Sequence, residues 1–244
     1  MKTVSFFSTC LADTVFPGVA KDSVLLLEQL GCRVVFNPKQ TCCGQPLINS
    51  GFHQKARKAM ELQIETLLED PADYVVGPSG SCVLQVKEYP KFFEDRPELQ
   101  EKARQLKKKI YELTDFIVNV LGITDVGASL EARVAYHPSC HLTRLLGVRE
   151  PPLALLNQVK GLELVGFKGQ DKCCGFGGTF SVKLGSLSGA MAEEKVKNIQ
   201  EVGADYLTGA DAGCLMSLHG VIQRKQYPIK VMHIAQLLRG NYKL

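Results

Sequence analysis

The chain has 244 residues, of which 45% are hydrophobic and 22% are charged, so it can form one large domain or two small ones with a substantial core. This composition excludes an intrinsically disordered chain, a collagen-like fibre and a coiled coil. The formal charge of +4 at pH 7 is too small to indicate a nucleic acid or a membrane surface as partner.

Strands and helices alternate along the first half of the chain. Short β-prone segments are followed by apolar residues at helical spacing, and Gly31 stands where a helix C-cap is expected. The predicted elements are a strand at 4–7, a helix over 19–30, a strand at 32–36, a helix over 54–69, a strand at 74–76 and a helix over 110–121.

The second half shows the same alternation. Pro151 and Pro152 open its first helix, which is a favoured position for proline. The predicted elements are a strand at 133–136, a helix from 151, a strand at 162–167, a helix over 190–202, a strand at 206–207 and a helix over 232–238. Alternation of this kind favours open, largely parallel α/β sheets.

The cysteines show that the chain is a tandem duplication. Eight of the nine fall into two sets with the same spacing, a single cysteine, a Cys-Cys-Gly triplet and a last cysteine: Cys10, Cys42, Cys43 and Cys82, and then Cys140, Cys173, Cys174 and Cys214. The gap before the pair is 31 residues in one set and 32 in the other, and the gap after it is 38 and 39. We therefore expect two pseudo-twofold-related α/β repeats, at residues 1–128 and 129–244.

Nine cysteines also restrict the compartment and the chemistry. The chain is long, rich in core residues and odd in cysteine number, unlike a secreted disulfide scaffold, and its first residues do not form a signal peptide. We therefore expect a cytoplasmic protein with reduced thiols that bind metal or do redox chemistry, and no integral membrane segment.

Each repeated cysteine follows the carboxyl end of a predicted strand, the edge at which open α/β sheets bind ligands. Three loops in each half thus bring four thiolates to one place. Thiolates suit zinc or an iron-sulfur cluster. Adjacent cysteines are awkward ligands for one tetrahedral ion, and Gly44 and Gly175 allow the backbone to approach an anionic cluster. The pattern therefore favours iron-sulfur over zinc.

These residues resemble a known family. The eight-cysteine pattern, with Thr41-Cys42-Cys43-Gly44-Gln45-Pro46 and Cys173-Cys174-Gly175-Phe176-Gly177-Gly178, is similar to the paired CCG domains of heterodisulfide reductase and of the glycolate oxidase iron-sulfur protein. Over the whole chain it looks most like the lactate utilization protein A (LutA/YkgE) family.

The resemblance implies an electron-transfer subunit of a multi-protein system that oxidises L-lactate to pyruvate in the cytoplasm. It is expected to be part of an oxidoreductase complex with companion subunits rather than a complete enzyme. It also implies up to two iron-sulfur clusters per chain, held by the eight repeated cysteines.

One departure from the heterodisulfide reductase pattern affects the expected cluster. Ser79 and Asp211 stand where that pattern has a fifth cysteine in each repeat. Four thiolates remain per site, which is enough for an ordinary [4Fe-4S] cluster. The non-cubane cluster of that family would need an oxygen ligand from one of these two residues.

Other interpretations remain open. The chain is alternatively part of a glycolate oxidase or a heterodisulfide-reductase-like complex, or a zinc-stabilised interaction module without a redox role. A metal-free thiol-disulfide enzyme is least favoured because a disulfide between adjacent residues is strained.

Five further cysteine and histidine residues near the pattern could have either a structural or a functional role. Cys32 has no counterpart in the second repeat and is expected in the core. His137 and His141 flank Cys140 and are either structural or donors near a cluster, whereas His53 and His219 are weaker candidates.

Overall fold

The computed structural model describes residues 1–240, so residues 241–244, the end of the predicted second repeat, lie outside the described residues. Within this range the chain forms two parallel sheets of four strands each. The strands are β1 (Thr3–Phe6), β2 (Arg33–Val35), β3 (Tyr74–Gly77), β4 (Ile110–Glu112), β5 (Ser129–His137), β6 (Lys160–Leu164), β7 (Tyr206–Gly209) and β8 (Lys230–His233).

Helices connect the strands as crossovers. The α-helices are α1 (Cys10–Thr14), α2 (Pro17–Gln29), α3 (Gln45–Ile48), α4 (His53–Glu69), α5 (Gly80–Glu88), α6 (Pro97–Lys109), α7 (Leu113–Asp115), α8 (Glu150–Asn157), α9 (Phe180–Lys183), α10 (Gly185–Glu201), α11 (Ala212–Lys225) and α12 (Ile234–Arg239). A 3-10 turn covers Tyr89–Phe92, and π-helical turns cover Phe116–Val120 and His141–Leu145. None of the helices within residues 1–240 combines the length and apolar character that crossing a membrane requires.

The two sheets have the same topology, which confirms the predicted pair of α/β repeats. The strand order is β2-β1-β3-β4 in the first sheet and β6-β5-β7-β8 in the second, and every pairing is parallel. In each half, the connection after the first strand leads to one edge of the sheet, and the connection after the third strand leads to the other edge. The carboxyl ends of these two strands therefore border the crevice in which such sheets bind ligands.

The fourth strand of each sheet corrects the sequence prediction. Residues 110–121 and 232–238 were expected to be helical, but each segment begins as an edge strand, β4 or β8, and turns into a helix only afterwards. These strands have three and four residues and run directly into a helix. The sequence of a short apolar segment without a turn signal does not indicate whether the segment forms a strand or a helix.

Strand β6 also lies earlier than expected, at Lys160–Leu164 instead of residues 162–167. It is the edge strand of the second sheet, and its residues are exposed or half-buried. The more apolar residues Val165 and Phe167, which suggested the later position, lie in the loop that follows and are buried there.

The inner strands of each sheet are mostly buried on both faces, as in parallel sheets generally. On one face, residues of both halves share a central core that includes Phe6, Val76, Val134 and Tyr136. Helices α2, α8 and α12 lie in this central layer, where α2 packs on α12. The outer faces have separate cores, formed with α4, α5 and α6 in the first half and with α10 and α11 in the second.

The halves also meet closely at the carboxyl edge of the sheets. The amide of Gly80, the first residue of α5, donates a hydrogen bond to the carbonyl of Ala210 at 3.2 Å. A Cβ atom at Gly80 would lie 2.8 Å from the side chain of Leu142 and 3.2 Å from its Cα atom. This contact therefore leaves no space for a methyl group.

We expect Gly80→Ala to lower the free energy of unfolding by about 1–3 kcal/mol, because the added methyl overpacks the contact between the halves. Gly185→Ala is the matched control, since Gly185 is also the first residue of a helix and a Cβ there meets no atom within 4 Å. Urea denaturation of both variants measures the difference. Equal stability of Gly80→Ala and Gly185→Ala would contradict the overpacking.

Candidate metal centre

Both sets of cysteines line one cavity of about 170 Å³. In each half the loops after the first three strands reach this cavity from the carboxyl edge of the sheet. Its lining includes Cys10, Cys42, Cys43, Cys82, Cys140, Cys173, Cys174 and Cys214. The volume is more than ten times the ~10–15 Å³ that a single water-sized sphere needs, so the cavity has room for more than one bare metal ion.

In the first half, the four thiols form a continuous series of contacts. Cys10 and Cys42 have their Sγ atoms 3.7 Å apart, Cys42 also interacts with Cys43, and Cys43 interacts with Cys82. Hydrogen bonds from Cys10 and Cys43 lower the pKa of Cys42, which favours its thiolate. We call these four residues the first quartet.

The second quartet has the same arrangement, with Cys140, Cys173, Cys174 and Cys214 in that order. Hydrogen bonds from Cys140 and Cys174 lower the pKa of Cys173, just as their counterparts do for Cys42. The thiols of Cys10 and Cys140 donate hydrogen bonds to these thiolates. This donation is the main cause of their raised pKa values, and burial raises them further. Within residues 1–240 every cysteine is a free thiol.

The backbone around both quartets has the same unusual conformation. Thr9 and Ser139, which precede the first cysteine of each quartet, have positive φ values of 61° and 46°. Gly44 and Gly175, which follow each cysteine pair, both have a φ of 83°. A Cβ atom at Gly175 would also lie 2.7 Å from the carbonyl oxygen of Ser188. The glycine after the second pair is therefore required by conformation and by space.

Backbone N–H groups point at the sulfurs. The amide of Gly175 donates to Cys173 Sγ at 3.4 Å, and the amide of Gly44 stabilises the Cys42 thiolate in the same way. Cys82 and Cys214 lie in the first turns of α5 and α11, where the partial positive charge of a helix N-terminus stabilises anions. These donors suit a group that carries negative charge on sulfur.

Ser79 and Asp211, the residues in the place of a fifth cysteine, bind each other across the two halves. The Ser79 hydroxyl and the Ser81 amide donate to Asp211 Oδ2 at 3.2 and 2.9 Å, and the Cys214 amide lies 3.4 Å from Oδ1. Both side chains are buried and line the cavity. Asp211 therefore caps α11 and links the two halves of the chain beside the quartets.

Lys195 is a residue of the site that sequence reasoning missed. Its buried ammonium on α10 donates to the carbonyls of Gly169 and Gln170 at 2.7 and 3.1 Å and so holds the loop that leads to the second cysteine pair. Burial lowers the pKa of Lys195, and the nearby thiolates of the second quartet oppose this.

In the first half, Gln63 on α4 takes the place of Lys195. Its side-chain oxygen accepts a hydrogen bond from the Thr41 amide at 2.7 Å and so holds the loop that leads to the first cysteine pair. Alignment of the two repeats around α4 and α10 would have shown this glutamine-to-lysine difference.

The histidines differ in their relation to the site. His137 is 1% exposed, neither ring nitrogen has a hydrogen-bond partner among residues 1–240, and burial lowers its pKa to about 3. His141 places Nδ1 3.5 Å from Cys140 Sγ and lines the cavity. His53 is exposed against Phe92, and His219 lies further along α11; neither lines the cavity.

Cys32, the ninth cysteine, does not join either quartet. It is 6% exposed and packs in the central core with residues of both halves. This is the core position that the sequence predicted for it.

Comparisons with known proteins point to one family of cysteine-rich proteins. The family described as "Cysteine-rich domain" (CCG) matches residues 4–87 and 134–219. Proteins named lactate utilization protein A are 55% identical in Geobacillus sp. WCH70 and 53% identical in Bacillus subtilis, in each case over 98% of this chain and 99% of the relative. The protein YkgE of Escherichia coli is 52% identical over the same shares.

Among solved structures, a hypothetical protein from Helicobacter pylori superposes with a TM-score of 0.69 at 13% sequence identity. The superposition covers all of this chain and 50% of the other, so this chain spans half the length of that protein. At this identity the likeness shows the shared fold.

We expect Asp211→Ala to lower the free energy of unfolding by about 1–3 kcal/mol, because it leaves the buried Ser79 hydroxyl and Ser81 amide without their acceptor. Asp211→Asn retains one carbonyl oxygen and should lose less. Urea denaturation under anaerobic conditions measures both variants, with Ser79→Ala as the control that removes one donor only. Wild-type stability of Asp211→Ala would show that the carboxylate does not join the halves.

Proposed function

The chain belongs to the lactate utilization protein A family of cysteine-rich CCG-domain proteins, and from this premise we propose that it is an iron-sulfur electron-transfer subunit of a system that oxidises L-lactate to pyruvate. The observation that carries the proposal is the convergence of two complete thiol quartets on one cavity. The family membership supports the role in lactate utilisation, and the donor set supports the metal group.

Each quartet would hold one [4Fe-4S] cluster, with Cys10, Cys42, Cys43 and Cys82 as ligands in the first half and Cys140, Cys173, Cys174 and Cys214 in the second. Four thiolates per site match the ligand number of such a cluster. When bound, a cluster supplies reversible one-electron transfer. The chain's own contribution is to hold the thiolates and to direct backbone N–H groups at the sulfurs.

The sharing of one cavity by both quartets supports a relay within this chain. With a cluster bound at each quartet, the eight cysteines would hold both redox groups at one cavity of the same chain. The Ser79–Asp211 contact supports this role by fixing the two halves to each other beside the quartets. A change in their relative position would change the separation of the two sites.

The lining of the cavity supports the assignment of lactate binding to a companion subunit. Within the part of the chain that the structure describes, the lining contains neither lysine nor arginine. Carboxylate substrates are commonly held by such cations, arginine in particular binding them through two hydrogen bonds. We therefore propose that companion subunits bind lactate and the final electron acceptor. We also propose that the complex is cytoplasmic, because the cysteines are free thiols.

Zinc is the competing metal, because four thiolates also suit a structural zinc site. Two observations favour the clusters: the adjacent cysteines Cys42-Cys43 and Cys173-Cys174, and a cavity with room for more than bare ions. In a zinc-stabilised interaction module the quartets would have no redox role. Metal analysis separates the two functions.

We expect anaerobically purified protein to be brown and to contain iron and acid-labile sulfide. Cys43→Ser and Cys174→Ser should each lose about half of both, because each removes a ligand from one quartet only. Cys32→Ala is the matched control and should keep the full content. Colourless protein with stoichiometric zinc would refute the iron-sulfur assignment.

The lactate role is tested in the host bacterium. Deletion of the gene should abolish growth on L-lactate and leave growth on pyruvate unchanged, since only the oxidation step is lost. Wild type and Cys32→Ala should restore growth, whereas Cys43→Ser and Cys174→Ser should not. Normal growth of the deletion strain on L-lactate would refute the role in lactate oxidation. A growth defect confined to glycolate would indicate the glycolate oxidase alternative.

A further inference from the structure

One of the buried positions at which the two halves differ lies beside the second quartet. Phe7 follows β1 in the first half and is fully buried in that half's outer core. The equivalent residue of the second half is His137, the last residue of β5, which is equally buried. A phenylalanine satisfies the packing in the first half, so packing alone does not require an imidazole in the second.

The ring of His137 lacks the hydrogen bonds that a buried polar group normally makes. Neither Nδ1 nor Nε2 has a partner among the described residues. Buried polar atoms without a partner are rare and call for a specific explanation, such as an ion that the ring binds. The other buried histidine, His233, contrasts with this, because its Nε2 lies 2.9 Å from the Pro78 carbonyl and its Nδ1 accepts from the Ala235 amide at 3.1 Å.

The ring of His137 also lies beside the second quartet. A ring nitrogen, Cys174 Sγ and Cys214 Sγ all lie within 4.8 Å of one another, and all three residues are buried. At metal-ligand distances of about 2.0–2.3 Å, two ligands of one metal atom are up to about 4 Å apart. A ring nitrogen of His137 is therefore close enough to reach a metal atom bound by Cys174 or by Cys214 after an adjustment of about 1 Å.

We propose that His137 is a nitrogen ligand of the second metal site, beside Cys174 and Cys214. The second site then offers four sulfur donors and one nitrogen donor, whereas the first offers four sulfur donors and an inert phenyl ring. This inference rests on the proposed function only in that the quartets hold metal. It makes the two sites of the duplicated chain chemically different.

His141 provides the matched comparison. It also belongs to the second half, its Nδ1 lies 3.5 Å from Cys140 Sγ, and the first half has Leu11 in its place. His137→Phe and His141→Leu each restore the residue of the first half. The two variants therefore each remove one imidazole that lies near a cysteine of the second quartet. Each replaces it with the side chain that the first half has at the equivalent position.

The test is pulsed paramagnetic resonance of the reduced, anaerobically prepared protein with ¹⁵N-labelled histidine. Wild type should show a strong histidine nitrogen coupling to the cluster, which persists in His141→Leu and is lost in His137→Phe. Absence of the coupling in wild type, or its persistence in His137→Phe, would overturn the proposal. If His137→Phe does not fold, the presence or absence of the coupling in wild type and in His141→Leu still tests the proposal.

A second arm distinguishes this proposal from the iron-sulfur assignment. Metal-free Cys43→Ser protein, in which only the second quartet is complete, is titrated with Co²⁺ and its thiolate-to-metal absorption is followed. Adding His137→Phe should weaken Co²⁺ binding at least ~10-fold and by more than adding His141→Leu does, because His137 would bind the metal itself whereas His141 only contacts a ligand. Equal affinities with and without His137 would overturn the proposal even in a protein that contains no iron.

Discussion

Parallel pairing of all strands in both sheets is the constraint on which the candidate metal centre depends. In a parallel sheet every strand ends at the same edge, so the loops after β1, β2 and β3 leave the first sheet side by side. Cysteines about 70 residues apart in sequence thus become neighbours. The same topology in the second half repeats the arrangement. With any strand reversed, the loop after it would lie at the opposite edge and its thiol would be separated from the others.

The central core determines how the two edges face each other. Because α2 packs on α12 and both sheets share one apolar layer, the carboxyl edges come together around a single cavity. Polar contacts then fix this edge, with Asp211 bound to Ser79 and the Ser81 amide. Between these two serines, Gly80 packs closely against Leu142. Apolar burial supplies the non-directional part of this association, and the buried hydrogen bonds restrict its geometry.

The duplication retained the thiols and diverged around them. Both quartets keep the same spacing, the positive φ before the first cysteine and the glycine after the pair. The surroundings of the second quartet are more polar, with His137 in the place of Phe7 and Lys195 in the place of Gln63. An ammonium and an imidazole change the electrostatic environment of a thiolate site more than a phenyl ring and an amide do. The repeats are therefore similar in ligands and different in environment.

Spacing along the chain was sufficient to identify both quartets, the duplication, the α/β class and the core role of Cys32, because each of these is a local or periodic property. The edge strands β4 and β8 were missed since three or four residues that run into a helix carry no periodic signal. The bond between Ser79 and Asp211 and the position of His137 beside Cys174 were decided only by the tertiary structure. Such contacts depend on sheet order and on the packing of one half against the other, which join residues that no local pattern relates.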